Sequence, residues 1–237
     1  MPHFLNLLVF GYYPYVALTV FIAGSILRFN RGQYGWRSGS SELLRKRQLV
    51  LGSSLFHYGI LVVLAGHLVG FLTPDSVLQL LGVSLRAHQL LAVVAGGISG
   101  TAAWIGLTML VHRRLFDPRI RKTSSVMDIF ALLLVWVQLS FGLATVPLTL
   151  HHLDGRLFSQ LVAYVQSIVF FRPGAVGYLQ GVYWVYKVHL FLGFTFFLIW
   201  PLSRLVHIWS APIWYLGRAY QVVRRRAPAG RRRGMPS

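Results

Sequence analysis

The stretch SSLFHYGILVVLAGHLVGFLTP, residues 53–74, decides how this chain is read. It is long and uncharged, yet it holds two imidazoles, His57 and His67. A second apolar stretch does the same: KVHLFLGFTFFLIWPLSRLVHIWSAP, residues 187–212, carries His189 and His207. A membrane-spanning helix needs about 20 predominantly apolar residues. Ionisable side chains inside such a span are costly and mark function.

Composition agrees with a membrane protein. The chain has 237 residues, of which 55% are hydrophobic and only 12% charged, and its mean hydropathy is +0.59. Those values exclude an ordinary soluble domain. The five acids are Glu42, Asp75, Asp117, Asp128 and Asp154. With no cysteine, disulfides, thiolate-ligated zinc and intrinsic iron–sulfur clusters are excluded. The opening MPHFLNLLVFGYYPYV has no basic leader and no small-residue cleavage site, so it is read as the first span and not as a removed signal peptide.

The expected fold class is an all-α integral membrane protein, a bundle of five transmembrane helices at about 4–27, 49–72, 88–111, 127–150 and 182–209. They form one unit, 1–223, followed by a basic tail, 224–237, expected to be disordered. The net charge of +18 does not indicate a nucleic-acid partner, because the cations fall in the connections between spans. Arg28, Arg31, Arg37, Arg45, Lys46 and Arg47 separate the first two spans. Arg113, Arg114, Arg119, Arg121 and Lys122 separate the third and fourth, and arginines again crowd the tail. The connections 73–87 and 151–181 are poor in cations. Cytoplasmic loops carry the excess of Lys and Arg, so the N-terminus is expected outside and the C-terminus in the cytoplasm. The 151–181 connection is apolar enough to pack on the bundle as an external cap or to border a lipid-substrate pocket.

This topology pairs the histidines. The second span runs outward, so His57 lies on the inner side and His67 on the outer. The fifth runs inward, so His189 is outer and His207 inner. Two pairs without cysteine suit two haems b, each taking one axial nitrogen from each helix. His57 and His207 are the inner ligands, and His67 and His189 the outer. At about 100° per residue, the interval from His189 to His207 closes on whole turns, and that from His57 to His67 leaves an offset of roughly 80°. Glycines 59, 66, 70 and 193 flank the ligands. The depths disagree, however: the ligand rise is about 15 Å on the second span and about 27 Å on an unbroken fifth. A tilt, an inclined inner haem or a kink at Pro201 would be required. Arg204 and Lys187 are candidate propionate contacts, with snorkelling to the headgroups as the alternative.

The two histidine stretches, together with YYPYVALTVFIAGSILRFNRGQYGWRSGSSELL, AGGISG, RRLFDPRIR and HHLDG, resemble the gamma subunit family of respiratory nitrate reductases, dihaem cytochromes b. The resemblance runs over about residues 4–223. It implies an oxidoreductase subunit of the bacterial or archaeal cell membrane that oxidises quinol near the outer face. Electrons then pass from outer to inner haem and on to a cytoplasmic iron–sulfur subunit and a molybdenum-cofactor subunit, where nitrate is reduced. It implies a quinol pocket at His88, where the family commonly has lysine, and at Gly66. Arg113 and Arg114 are expected to help dock an acidic or neutral soluble subunit. Two rivals stand beside this reading: a homologous quinol-oxidising anchor of a sulfur or heterodisulfide-type reductase, and a polytopic membrane protein without redox function.

Overall fold

The computed structural model describes residues 3–32, 46–122 and 124–210. Among them the chain is entirely helical, with no strand. The first span begins as α1 (His3–Leu7), widens through a π-turn at Leu8–Tyr12 and continues as α2 (Tyr13–Gly32). There follow α3 (Lys46–Leu72), the short α4 (Asp75–Leu80), α5 (Leu85–Phe116), α6 (Pro118–Lys122), α7 (Val126–Leu150), α8 (Arg156–Val169) and α9 (Trp184–Ile199). Among the described residues, five stretches are long and apolar enough to cross a membrane: Phe4–Arg31, Arg47–Leu72, Leu85–Phe116, Val126–Leu150 and Trp184–Leu202. The tail at 224–237 lies outside the described residues.

Helix packing in hydrocarbon depends on close approach, since lipid is as apolar as leucine. The α3–α5 pair shows how close. A Cβ built on Gly59 would lie 2.5 Å from the Ser99 carbonyl and 2.7 Å from the Ala103 nitrogen. One built on Gly106 would lie 2.5 Å from the Phe56 nitrogen and 2.6 Å from the Gly52 carbonyl. Of the glycines that flank the histidines, Gly59 serves this helix crossing. The α5–α7 pair is joined by a reciprocal polar clasp. Trp104 Nε1 donates to Ser140 Oγ at 2.9 Å, and Trp136 Nε1 donates to Thr108 Oγ1 at 2.9 Å, with the two indoles stacked at 6.1 Å. Each tryptophan thereby satisfies its N–H on the opposite helix, as a buried indole must.

The 151–181 connection folds down as a cap. Its helix α8 buries Leu157, Leu161, Tyr164 and Ile168 against Phe10, Leu179 and Tyr186. Tyr164 is fully buried and its hydroxyl donates to the Phe10 carbonyl at 3.0 Å. Burial pushes this phenol above its ordinary range, keeping it a neutral donor. Gln166 Nε2 donates to the Phe71 carbonyl at 3.1 Å, which satisfies an acceptor at the end of α3.

The fifth span departs from the expected 182–209 helix. α9 ends at Ile199; Trp200–Leu202 forms a 3-10 turn, Ser203 is extended, and Arg204–Ser210 forms a second 3-10 turn. Pro201 is the physical cause, because it lacks the N–H that an α-helix would need there. Arg28 of α2 takes up the exposed acceptors: its Nη1 donates to the Pro201 carbonyl at 2.5 Å and to the Ser203 carbonyl at 2.9 Å. Broken helices persist in membranes only where neighbours satisfy the freed backbone in this way.

Candidate functional site

Three histidines within candidate spans, His57, His67 and His189, and His207, which follows the fifth span, meet as two pairs. The His57 and His207 rings have centroids 6.4 Å apart, and those of His67 and His189 are 6.2 Å apart. A metal–imidazole bond of about 2 Å on each side, plus about 1.1 Å from each nitrogen to its ring centre, gives roughly 6.2 Å for two imidazoles facing one metal. Both pairs sit at that separation.

Tautomers agree with ligation. His57 Nδ1 donates to the Ser53 carbonyl at 2.7 Å, and His67 Nδ1 donates to the Val63 carbonyl at 2.8 Å. His189 Nδ1 donates to the Gln138 carbonyl at 3.1 Å, and His207 Nδ1 donates to the Arg204 carbonyl at 2.6 Å. A carbonyl can only accept, so each contact fixes the proton on Nδ1 and puts the lone pair on Nε2. A carbonyl that accepts the other ring N–H in this way fixes the orientation of a metal-bound imidazole.

The donor set selects the kind of group. Among the described residues there is no cluster of three or more His, Cys, Asp or Glu side chains that could hold a bare ion. Two opposed imidazoles suit a metal that arrives with its own equatorial nitrogens, as a haem does. Space is consistent: a Cβ on Gly66, beside His67, would meet nothing within 4 Å. A Cβ on Gly142 of α7 would come within 3.0 Å of His189 Cε1, so this glycine lets that edge of the ring approach α7. The residues present therefore fit a bis-histidine haem at each pair.

The break in the fifth span bears on the depth mismatch. The inner pair forms although an unbroken helix would carry His207 about 27 Å below His189. The last residues before His207 follow 3-10 and extended geometry, so neither that depth arithmetic nor the whole-turn register applies.

His88 lies near the start of α5 and is only 8% exposed, so it does not face water. Its Nε2 would be 3.7 Å from a Cβ on Gly70, one turn beyond Gly66, and its ring meets Phe158 of α8 edge-on at 5.0 Å. The cap thus supplies one wall beside His88. Arg204 binds Asp128, Nε to Oδ1, at 2.7 Å, while Lys187 is half-buried in the first turn of α9. Arg113 is not available to dock a partner, whereas Arg114 is partly exposed and engaged with an acid. Arg113 is buried at 3% exposure, and Arg114 reaches Asp128 at 3.8 Å. The exposed cations of that connection are Arg119, Arg121 and Lys122.

Sequence reasoning missed Gln138 and Gly142. Both lie on α7, four residues apart, and together shape the seat of His189. The four-residue spacing was legible as one helical face, but nothing in it named the partner.

Known proteins bear directly on this site. The family described as nitrate reductase gamma subunit matches residues 6–226. The respiratory nitrate reductase 1 gamma chain of Escherichia coli (strain K12) is 45% identical over 223 residues, covering 94% of this chain and 99% of that one. The nitrate reductase gamma chain of Bacillus subtilis (strain 168) is 42% identical over 223 residues, covering 93% and 98%. A more distant relative is the Hdr-like menaquinol oxidoreductase cytochrome b-like subunit of Archaeoglobus profundus, 28% identical over 181 residues, covering 70% and 49%. Full-length similarity at this level, on a helical fold with five candidate spans and two histidine pairs, shows that the chain belongs to the nitrate reductase gamma subunit family.

Proposed function

We propose that this chain oxidises a membrane quinol near the outer face and passes the electrons through two haems b to a cytoplasmic iron–sulfur subunit and a molybdenum-cofactor subunit that reduces nitrate. The observation that carries this reading is the two imidazole pairs at 6.4 and 6.2 Å, each ring held through Nδ1 by a backbone carbonyl. Each haem, when bound, supplies a one-electron couple within the bilayer.

In this reading His67 and His189 hold the outer haem, and His57 and His207 the inner. The alternation of cation-rich and cation-poor connections supports a chain that enters from outside and ends in the cytoplasm. Lys187 and Arg204 provide cationic partners for propionates; Arg204 gives its Nε to Asp128 and has further N–H donors on the same guanidinium. Gly66, Gly70 and His88 line the quinol pocket beside the outer pair. His88 hydrogen-bonds a quinol hydroxyl and accepts its proton as the electrons leave. The exposed Arg119, Arg121 and Lys122 face the soluble subunits, on the side of the cell membrane that a bacterial or archaeal nitrate reductase occupies.

The Archaeoglobus relative keeps alive a second reading, in which the same wire serves a heterodisulfide-type acceptor. The full-length nitrate reductase relatives, at 42–45% identity, favour nitrate.

The test is made on membranes holding the intact complex. Reduction should reveal low-spin haem b bands, and nitrate should reoxidise them. Bands that stay reduced with nitrate but decay with a sulfur-compound acceptor would reject the nitrate assignment; absence of the bands would reject the whole reading. The pocket is tested separately by His88→Ala. Quinol oxidation should fall about a hundredfold, in the range of a lost general base, with the haem bands unchanged. Quinol turnover equal to that of the parent would remove His88 from the pocket.

A further inference from the structure

We infer that Asp128 is a positioning residue for the inner histidine pair, acting through Arg204 on the ring of His207. The inference rests on the reading of His57 and His207 as haem ligands.

His57 and His67 ride on α3 and His189 on α9, where the helical ladder fixes the backbone beneath each ring. His207 has no such mount. It sits on a 3-10 turn that follows extended Ser203. What holds this segment is a set of side-chain contacts from two other helices. From α2, Arg28 donates to the Pro201 and Ser203 carbonyls, and Gly24 lets Pro201 come close, since a Cβ there would lie 2.8 Å from Pro201 Cγ. From α7, Asp128 Oδ1 takes Arg204 Nε at 2.7 Å. The carbonyl of that same Arg204 accepts the His207 Nδ1 proton at 2.6 Å. The orientation of the ring therefore depends on where the Arg204 peptide lies, and Asp128 anchors the residue that carries it.

The carboxylate uses its two oxygens differently. Oδ2 accepts from the Ser125 backbone at 3.0 Å, closing the capping box that starts α7. Oδ1 goes to Arg204. A cap alone needs one oxygen and tolerates exposure to solvent. The Asp128 side chain is 4% exposed and has a second cation, Arg114, at 3.8 Å. Asparagine would preserve the cap acceptor and the side-chain size but lose the charged anchor, leaving Arg204 and Arg114 facing each other without a counter-ion.

The experiment compares D128N, D128E and S125A in the purified complex with its soluble subunits. It reads each low-spin haem by electron paramagnetic resonance and by redox titration. In D128N the inner haem should lose at least half its occupancy or move to a higher midpoint, because a carboxylate that favoured the oxidised cation is gone; the outer haem should match the parent. D128E should restore the inner signal. S125A, which breaks the cap and spares the anchor, should leave it unchanged. An inner signal in D128N identical to the parent would overturn the inference, as would the same inner shift in S125A. If D128N does not assemble, D128E carries the test, because it keeps the charged anchor: a D128E complex with the parent's inner signal supports the inference, and one that assembles without that signal overturns it. If the parent complex itself shows no two-haem signal, the ligand reading fails and not the anchor.

Discussion

His189→Ala should abolish the outer haem and leave the inner one in place. The parent's two low-spin signals should become one, and quinol-linked nitrate reduction should fall at least a hundredfold. Reduction driven by a soluble dye acting directly on the cytoplasmic subunits should persist. The size of the effect follows from the ligand count: each pair contributes one imidazole per side, so deletion of either ring removes half of the protein's grip. His207→Ala should produce the mirror result, with the inner signal lost and the outer retained. Loss of both signals in either variant, with the complex still assembled, would mean that the pairs do not hold separate groups.

The second large effect lies away from the ligands. Gly59→Val should prevent assembly or cost about 3 kcal/mol or more, the upper range for overpacking a dense interface. The atoms a side chain would meet at Gly59 are mostly backbone, the Ser99 carbonyl at 2.5 Å and the Ala103 nitrogen at 2.7 Å, and backbone cannot swing aside as a flexible side chain can. Gly66→Ala makes the contrast, because its Cβ meets nothing within 4 Å and the bundle should tolerate it. Thermal inactivation of the purified complex checks both. A Gly59→Val complex as heat-stable as the parent would show that α3 and α5 can separate without penalty.

Much of this was legible in the sequence because membranes impose long, simple signals. Five apolar stretches became five candidate spans, and the pairing of His57 with His207 and His67 with His189 followed from loop charge alone. What was not legible was local. Pro201 signalled a kink, but not that the chain would continue as 3-10 turns held by Arg28 from the first span. Arg113 and Arg114 read as a docking surface because sequence shows a charge and not its burial. Gln138 and Gly142 carry no chemistry of their own; their part in seating His189 comes from a carbonyl and a missing Cβ, which no motif records. Asp128 read only as one acid of five until its two oxygens were seen to have separate partners.

The uneven mounting of the two ligand strands has a consequence for how this protein can change over evolutionary time. α3 is continuous from Lys46 to Leu72 and carries His57 and His67 on one rod, so it acts as a ruler: ten residues set a separation of about 15 Å along its axis. One residue inserted between those two histidines would swing one ring about 100° away from its partner. The opposite run has no such rod: after Ile199 the position of His207 is set by the contacts of Arg28 with the Pro201 and Ser203 carbonyls and of Asp128 with Arg204. Length variation should therefore be forbidden on both sides of the paired rings, by helical register on α3 and by the pinned contacts before His207 on the other.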